Sequence, residues 1–278
     1  MPMQSSLNKE KITAAEFEQF RRFIFERAGI SLSDAKQRLV TGRLAKRLRH
    51  FEIDSYGEYF QRTIRGALGP DELQIVVDLL TTNETHFFRE PAHFDFLRER
   101  VLPEVQRGST YRIWSAASST GEEAYSSAMT CAECLGDAPW EIFGSDINTA
   151  VLAKARVGHY SMDVAHEIPL PLLKRFCLRG KGEQDGTFLI GPELRRRVSF
   201  DQVNLNAPMP PIGPFDFVFL RNVMIYFAVE TKRAVVARML PLLKPGGFFV
   251  VGHSESLNGV TDQLELVRPT IYRKPLGP

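Results

Sequence analysis

Two short apolar runs end in polar residues of the kind that hold small molecules. Phe215 to Leu220 stops at Arg221-Asn222, and Phe248 to Gly252 runs into His253, Ser254 and Glu255. Runs of this length without alternation read as strands buried on both faces of a parallel sheet. Ligands of open α/β sheets sit at the carboxyl ends of such strands, so the two polar clusters predict one crevice with a site in it. Upstream, Tyr111 to Ala116 leads into Ala117-Ser-Ser-Thr-Gly-Glu-Glu123 and then a helix, and Glu141 to Ser145 ends at Asp146. A loop of small residues lets backbone approach a ligand closely, and the helix behind it offers free N–H groups.

The chemistry of that loop narrows the ligand. It holds one glycine, so it is not the GxGxxG dinucleotide fingerprint, and Glu122 and Glu123 would repel a pyrophosphate. Asp146, at the tip of the second strand, is placed to accept hydrogen bonds from ribose hydroxyls. A nucleoside cofactor without phosphate on a Rossmann-like sheet points to S-adenosylmethionine. The segment Thr82-Asn-Glu-Thr-His-Phe-Phe-Arg-Glu90 concentrates hydroxyls, an amide, aromatic rings and a guanidinium just before the sheet begins, a density expected of a ligand site at a domain junction.

The elements that must position these residues are legible in outline. The chain has 278 residues and 44% hydrophobic content, enough for two domains. Its 35 basic and 33 acidic side chains nearly cancel, which argues against a general nucleic-acid binder. No run approaches a membrane span, so the protein is expected to be soluble and cytoplasmic. Cys131 and Cys134 form a CxxC inside a predicted helix with no second ligand pair nearby, and no metal is assigned to them. Residues 1–85 read as helices: Thr13 to Glu16 and Ser55 to Glu58 as capping boxes, apolar stripes at helical spacing, and no strand pattern. A linker helix is expected over residues 86–107. From 108 to 278 strands alternate with helices, the grammar of a doubly wound α/β domain, closed by an antiparallel pair over Leu264 to Arg268 and Thr270 to Lys274. Within it, about 176–202 reads as an inserted β-hairpin or meander without a helix.

Five segments in order, TNETHFFRE, WSAASSTGEEAYS, SDIN with VLAKARVGHY, RNVMIYF and LLKPGGFFVVGHSESL, resemble the CheR family of chemotaxis receptor methyltransferases, over nearly the whole chain. The resemblance implies a Rossmann-like methyltransferase domain with an inserted antiparallel β-subdomain, preceded by an all-helical domain. It implies methyl transfer from S-adenosylmethionine to glutamate side chains of chemoreceptors, leaving S-adenosylhomocysteine. Carried over by motif, Asn83, Thr85 and Arg89 would contact the cofactor, as would Glu122, while Asp146 would hold the ribose. Asn204-Leu205 and Arg221-Asn222 would flank its adenine and methionine ends.

A glutamate carboxylate, with an unperturbed pKa of ~4.3, is ionised at neutral pH and needs no general base. This agrees with the lack of a His–Asp or Ser–His arrangement. The enzyme must supply position and a dry environment, and Arg89 and Tyr226 are the candidates for aligning the carboxylate. A basic helix over residues 36–50 places Arg43, Lys46, Arg47 and His50 opposite the Val40–Leu44–Leu48 stripe. That face is a candidate docking surface for acidic receptor helices. The inserted β-subdomain could take a receptor's C-terminal peptide by strand addition. The rivals are a nucleic-acid methyltransferase, disfavoured because Arg221-Asn222-Val-Met replaces the usual amine-methylating (N/D)PP(Y/F), and a cofactor-sensing adaptor without catalysis.

Overall fold

The computed structural model describes residues 11–106 and 108–277. They form two units: residues 11–82 with Tyr226–Thr231, and residues 83–225 with 232–277.

In the first unit, Thr13 caps α1 (Ala14–Ala28) with the reciprocal bonds of a full capping box, and Gly29 ends it in the left-handed conformation. A short 3₁₀ turn over Asp34–Lys36 leads into α2 (Gln37–His50), followed by α3 (Tyr56–Ile64) and α4 (Glu72–Leu80). The Ser55 cap is half a box. Its hydroxyl accepts from the Glu58 N–H at 3.0 Å, but the Glu58 carboxylate turns to Arg62 instead. Phe20, Ile24, Val40, Leu44 and Tyr59 are fully enclosed, so the apolar stripes meet in one core. The segment Tyr226–Thr231 belongs to this core: Ser31 N–H donates to the Tyr226 carbonyl at 2.8 Å, and Ile30 bridges Phe227.

The basic face of α2 differs from the sequence expectation. Arg43 donates to the Thr81 carbonyl at 2.7 Å, and Arg47 grips the buried Glu72 with two nitrogens, its guanidinium 5.0 Å from the Phe51 ring centre. Tyr59 also donates to Glu72. A buried carboxylate on α4 demands a partner, and Arg47 is within reach. The basic residues left exposed on α2 and the turn before it are Lys36, Arg38, Lys46, Arg49 and His50.

The second unit opens with α5 (Ala92–Phe96), which widens into a π-turn over Leu97–Val101 and tightens to 3₁₀ over Leu102–Glu104. Then come β1 (Tyr111–Ser115), α6 (Glu122–Leu135), β2 (Trp140–Asp146), α7 (Thr149–Val157), β3 (His159–Ser161) and α8 (Leu170–Phe176). Next are β4 (Cys177–Arg179), β5 (Thr187–Ile190), α9 (Pro192–Arg195), β6 (Val198–Gln202) and β7 (Phe215–Leu220). Last are α10 (Val229–Met239), β8 (Leu243–Val251), β9 (Glu265–Arg268) and β10 (Ile271–Arg273). Seven strands make one sheet in the order β6-β2-β1-β7-β8-β10-β9. The pairs from β6 to β8 are parallel and those with β10 antiparallel. The chain winds outward from β1 in one direction and from β7 in the other, so the order reverses between them. Ser115 lies opposite Phe219 at that reversal, where the outgoing loops part and leave a crevice.

The expected β-subdomain is corrected on three counts. The small three-stranded antiparallel sheet has the order β3-β5-β4, so one edge comes from His159–Ser161, well before residue 176. Val198–Gln202 leaves it altogether and pairs in parallel with β2 at the edge of the large sheet. The segment also contains a helical turn, α9, because Pro192 supplies a helix-compatible φ at its first position.

Candidate functional site

Asp146 organises the loop after β1. Its Oδ2 accepts from Ser119 N–H at 2.9 Å and its Oδ1 from Asn148 N–H at 3.0 Å. One buried carboxylate thus fixes both the β1–α6 loop and the turn into α7. Ser119 sits at φ 49°, and Gly121 at φ 100°, where an added Cβ would lie 3.0 Å from that of Ala155. Ser119 also donates its hydroxyl to the Asn83 carbonyl at 2.8 Å, which brings the segment after residue 82 against this loop. Val203 N–H donates to the Asp146 carbonyl at 3.1 Å, delivering Asn204 and Leu205 beside the same strand end. Asn204 Oδ1 accepts from Asn206 N–H, and the Leu205 carbonyl takes two bonds from Arg238. Thr85 is half-buried in the segment that Asn83 anchors.

The acids at the start of α6 suit a positively charged ligand. Burial pushes the Glu122 carboxyl up, against the hydroxyl of Thr120, which donates to it at 2.7–2.9 Å. Glu123 is likewise pushed up by burial, partly offset by the Arg221 charge. Ser118 Oγ is buried with no hydrogen-bond partner among the described residues. A phosphate would meet two carboxylates here; a sulfonium and an ammonium would be attracted to them. The donor set therefore fits S-adenosylmethionine.

Beneath the strand ends lies a second network, centred on Arg221. Its side chain is 1% exposed, 3.2 Å from Glu90 Oε2 and 3.3 Å from Glu123 Oε2, and it donates to the Arg89 carbonyl. The rings of Phe94 and Phe219 stack against it. Burial alone would raise the Glu90 carboxyl, but Arg221, Asn222 and the His253 N–H outweigh it and hold Glu90 below the usual carboxylate range. Asn222, at φ 57°, donates its side-chain amide to Glu90 at 3.1 Å and its main-chain N–H to Glu255 at 2.8 Å. Glu255 also takes the N–H groups of Gly252 and Ile225. A Cβ at Gly252 would stand 2.5 Å from the Asn222 amide, so only glycine lets the end of β8 approach this closely. Arg89 folds its guanidinium onto the Glu84 carbonyl at 2.9 Å.

Of the residues named from the sequence, Asn83, Asp146 and Asn204 thus converge on one strand end, while Arg89, Arg221 and Asn222 join a single network. Arg221 braces that network from inside. Tyr226 groups with the helical unit through its main chain. Glu90, Glu123 and Glu255 stand in the strings that the sequence singles out, but sequence reasoning gave none of them a role of its own in the site. Glu90 and Glu255 stand in the same polar strings as Arg89 and His253, and the signal that could have found them is a strand ending in an arginine too buried to stay unpaired.

Comparison with known proteins agrees with this geometry. The family described as "CheR methyltransferase, all-alpha domain" matches residues 15–81, and "CheR methyltransferase, SAM binding domain" matches 83–273. Chemotaxis protein methyltransferase 2 of Pseudomonas aeruginosa is 44% identical over 94% of this chain and 93% of its own length. The chemotaxis protein methyltransferases of Salmonella typhimurium and Escherichia coli are 41% and 40% identical, each over 94% of this chain and 90% and 91% of theirs. This chain belongs to the CheR methyltransferase family.

Proposed function

We propose that this protein transfers a methyl group from S-adenosylmethionine to glutamate side-chain carboxylates of chemoreceptors, forming glutamyl methyl esters. The observation that carries this reading is the end-to-end similarity to chemotaxis protein methyltransferases, through both the helical and the cofactor-binding domains. When bound, the cofactor supplies an electrophilic methyl group. The residues of this chain hold and orient. Asp146 takes the ribose hydroxyls, and Asn83, Thr85 and Glu122 lie along the nucleoside. Asn204 and Leu205 flank one end, and Asn222, braced by Glu90, Arg221 and Glu255, flanks the other. Arg89 aligns the incoming carboxylate, with Tyr226 as a second aligning group. Alignment without tight pairing is what the reaction asks of Arg89, because a strong salt bridge would stabilise the ground state.

Receptor docking is assigned to the outward basic face of α2. Arg38, Lys46 and Arg49 fall within about 80° of one another at ~100° per residue, and all three are exposed. A receptor tail peptide is assigned to an edge of the small sheet, where β4 presents Leu178 at 54% exposure. Among the described residues no helix is long and apolar enough to cross a membrane, which accords with a cytoplasmic site of action.

The test is transfer of tritium from methyl-labelled cofactor to receptor-rich membranes. Ester label is released by base as methanol, and that is the expected result. Base-stable label would identify an amine acceptor and overturn the reading. No label, with S-adenosylhomocysteine still bound, would leave an adaptor.

A further inference from the structure

We propose that Glu90, His93 and His253 form a binding site for a divalent first-row transition ion of the zinc type, sharing Glu90 with the network that braces Asn222. The three side chains each bring one ligand atom, and these atoms lie within 4.8 Å of one another. The two imidazole rings meet edge to face with centres 5.1 Å apart.

The hydrogen bonds around His93 leave a gap that a cation fills. The Thr270 hydroxyl donates its proton to the Pro269 carbonyl at 2.6 Å. His93 Nε2 lies 2.7 Å from that hydroxyl, and with Nε2–H as the donor in this contact Nδ1 carries a lone pair. It points at Glu90 Oε2, 3.4 Å away, and neither atom has a hydrogen-bond partner among the described residues. The two buried atoms face each other without a hydrogen bond, while Arg221 pairs with Glu90 Oε2 from another side at 3.2 Å. A metal ion ligated by a neutral imidazole and a carboxylate satisfies both atoms at once.

The geometry suits a small tetrahedral ion. Ligand bonds of about 2.0–2.1 Å imply ligand–ligand edges of about 3.4 Å, the separation already present between Nδ1 and Oε2. The third ligand, His253, is exposed and can rotate inward from the surface, while its main-chain N–H stays bonded to Glu90 at 3.1 Å. A depression lined by Ala92, Arg268, Thr270 and both histidines gives access. The bond from His93 Nε2 to Thr270 is the outer-shell support that metal-ligating histidines carry. Arg221 and Arg268 oppose a cation here, so the site is expected to bind with moderate affinity.

The experiment uses tag-free, chelator-stripped protein titrated with Co²⁺, whose visible absorption reports geometry and ligand type. The expected result is one Co²⁺ per chain with tetrahedral bands, no thiolate charge-transfer band, and displacement by Zn²⁺. His253→Ala, a surface change that keeps the main-chain bond to Glu90, is expected to weaken binding by roughly tenfold or more, at least the loss seen for outer-shell partners. Thermal unfolding of the metal-free variant checks that its fold is intact. A titration without a stoichiometric band, a thiolate band placing the ion on cysteine, or identical curves for wild type and His253→Ala would each overturn the site.

Discussion

Glu122 carries a charge that the fold alone would be better without. Its folded carboxyl is raised above the ordinary value by burial, so the folded state binds protons more tightly than the unfolded chain. Stability from this group therefore grows as pH falls through the raised folded value towards the unfolded one, and is lost at neutral pH. Glu122→Gln is expected to raise the Tm by a few degrees at pH 7–8 and to give little or no gain near pH 4.5, roughly the unfolded value. Affinity for S-adenosylhomocysteine should fall in the same variant, and calorimetry would measure it. A variant neither stabilised nor weakened in binding would remove Glu122 from the site. The place of Asp146 at the carboxyl end of β2 was legible because an acid that closes a buried apolar run stands out from it. Glu90, Glu123 and Glu255 were not, because an acid in a polar string gives no sign of which buried cation it will face. Pairing partners 132 or 33 positions away, as for Asn222 with Glu90 and Glu255, leave no local trace.

Helix α2 shows how one element divides its charges between holding itself and meeting others. Arg47→Glu would set a second acid against the buried Glu72, and removing one partner of such a pair costs about 3–5 kcal/mol. The expected outcome is a clear drop in the melting temperature of the helical unit. Replacing Arg38, Lys46 and Arg49 together by Glu should leave that temperature nearly unchanged. It should lower receptor methylation, and the loss should shrink as salt rises, because exposed charges are screened over ~8 Å at physiological ionic strength. Methylation at the wild-type rate in low salt would show that the face is merely solvated. The helical stripe of α2 and the buried run of β7 were readable because their periods are unambiguous. β3 was not: three exposed or half-exposed residues pair with a strand far along the chain and have no period to read. β6 was placed in the wrong sheet because its alternating pattern is the same for a hairpin strand and for the edge of a parallel sheet.

The helical unit is not a continuous piece of chain. It takes Tyr226–Thr231 from far downstream, and Phe227, 8% exposed, is buried there. A fragment of residues 11–82 is therefore expected to melt below the same helices in the intact chain, and far-UV circular dichroism of the two would show it. Equal melting would mean that the borrowed segment adds nothing. The bridge between Ile30 and Phe227 also sets a clock on synthesis. Helices that leave the ribosome first must wait for a segment roughly two hundred residues later, about 10–40 s at ~5–20 residues per second. Until then the surface around Ile30 is uncovered on the nascent chain, where chaperones would find it.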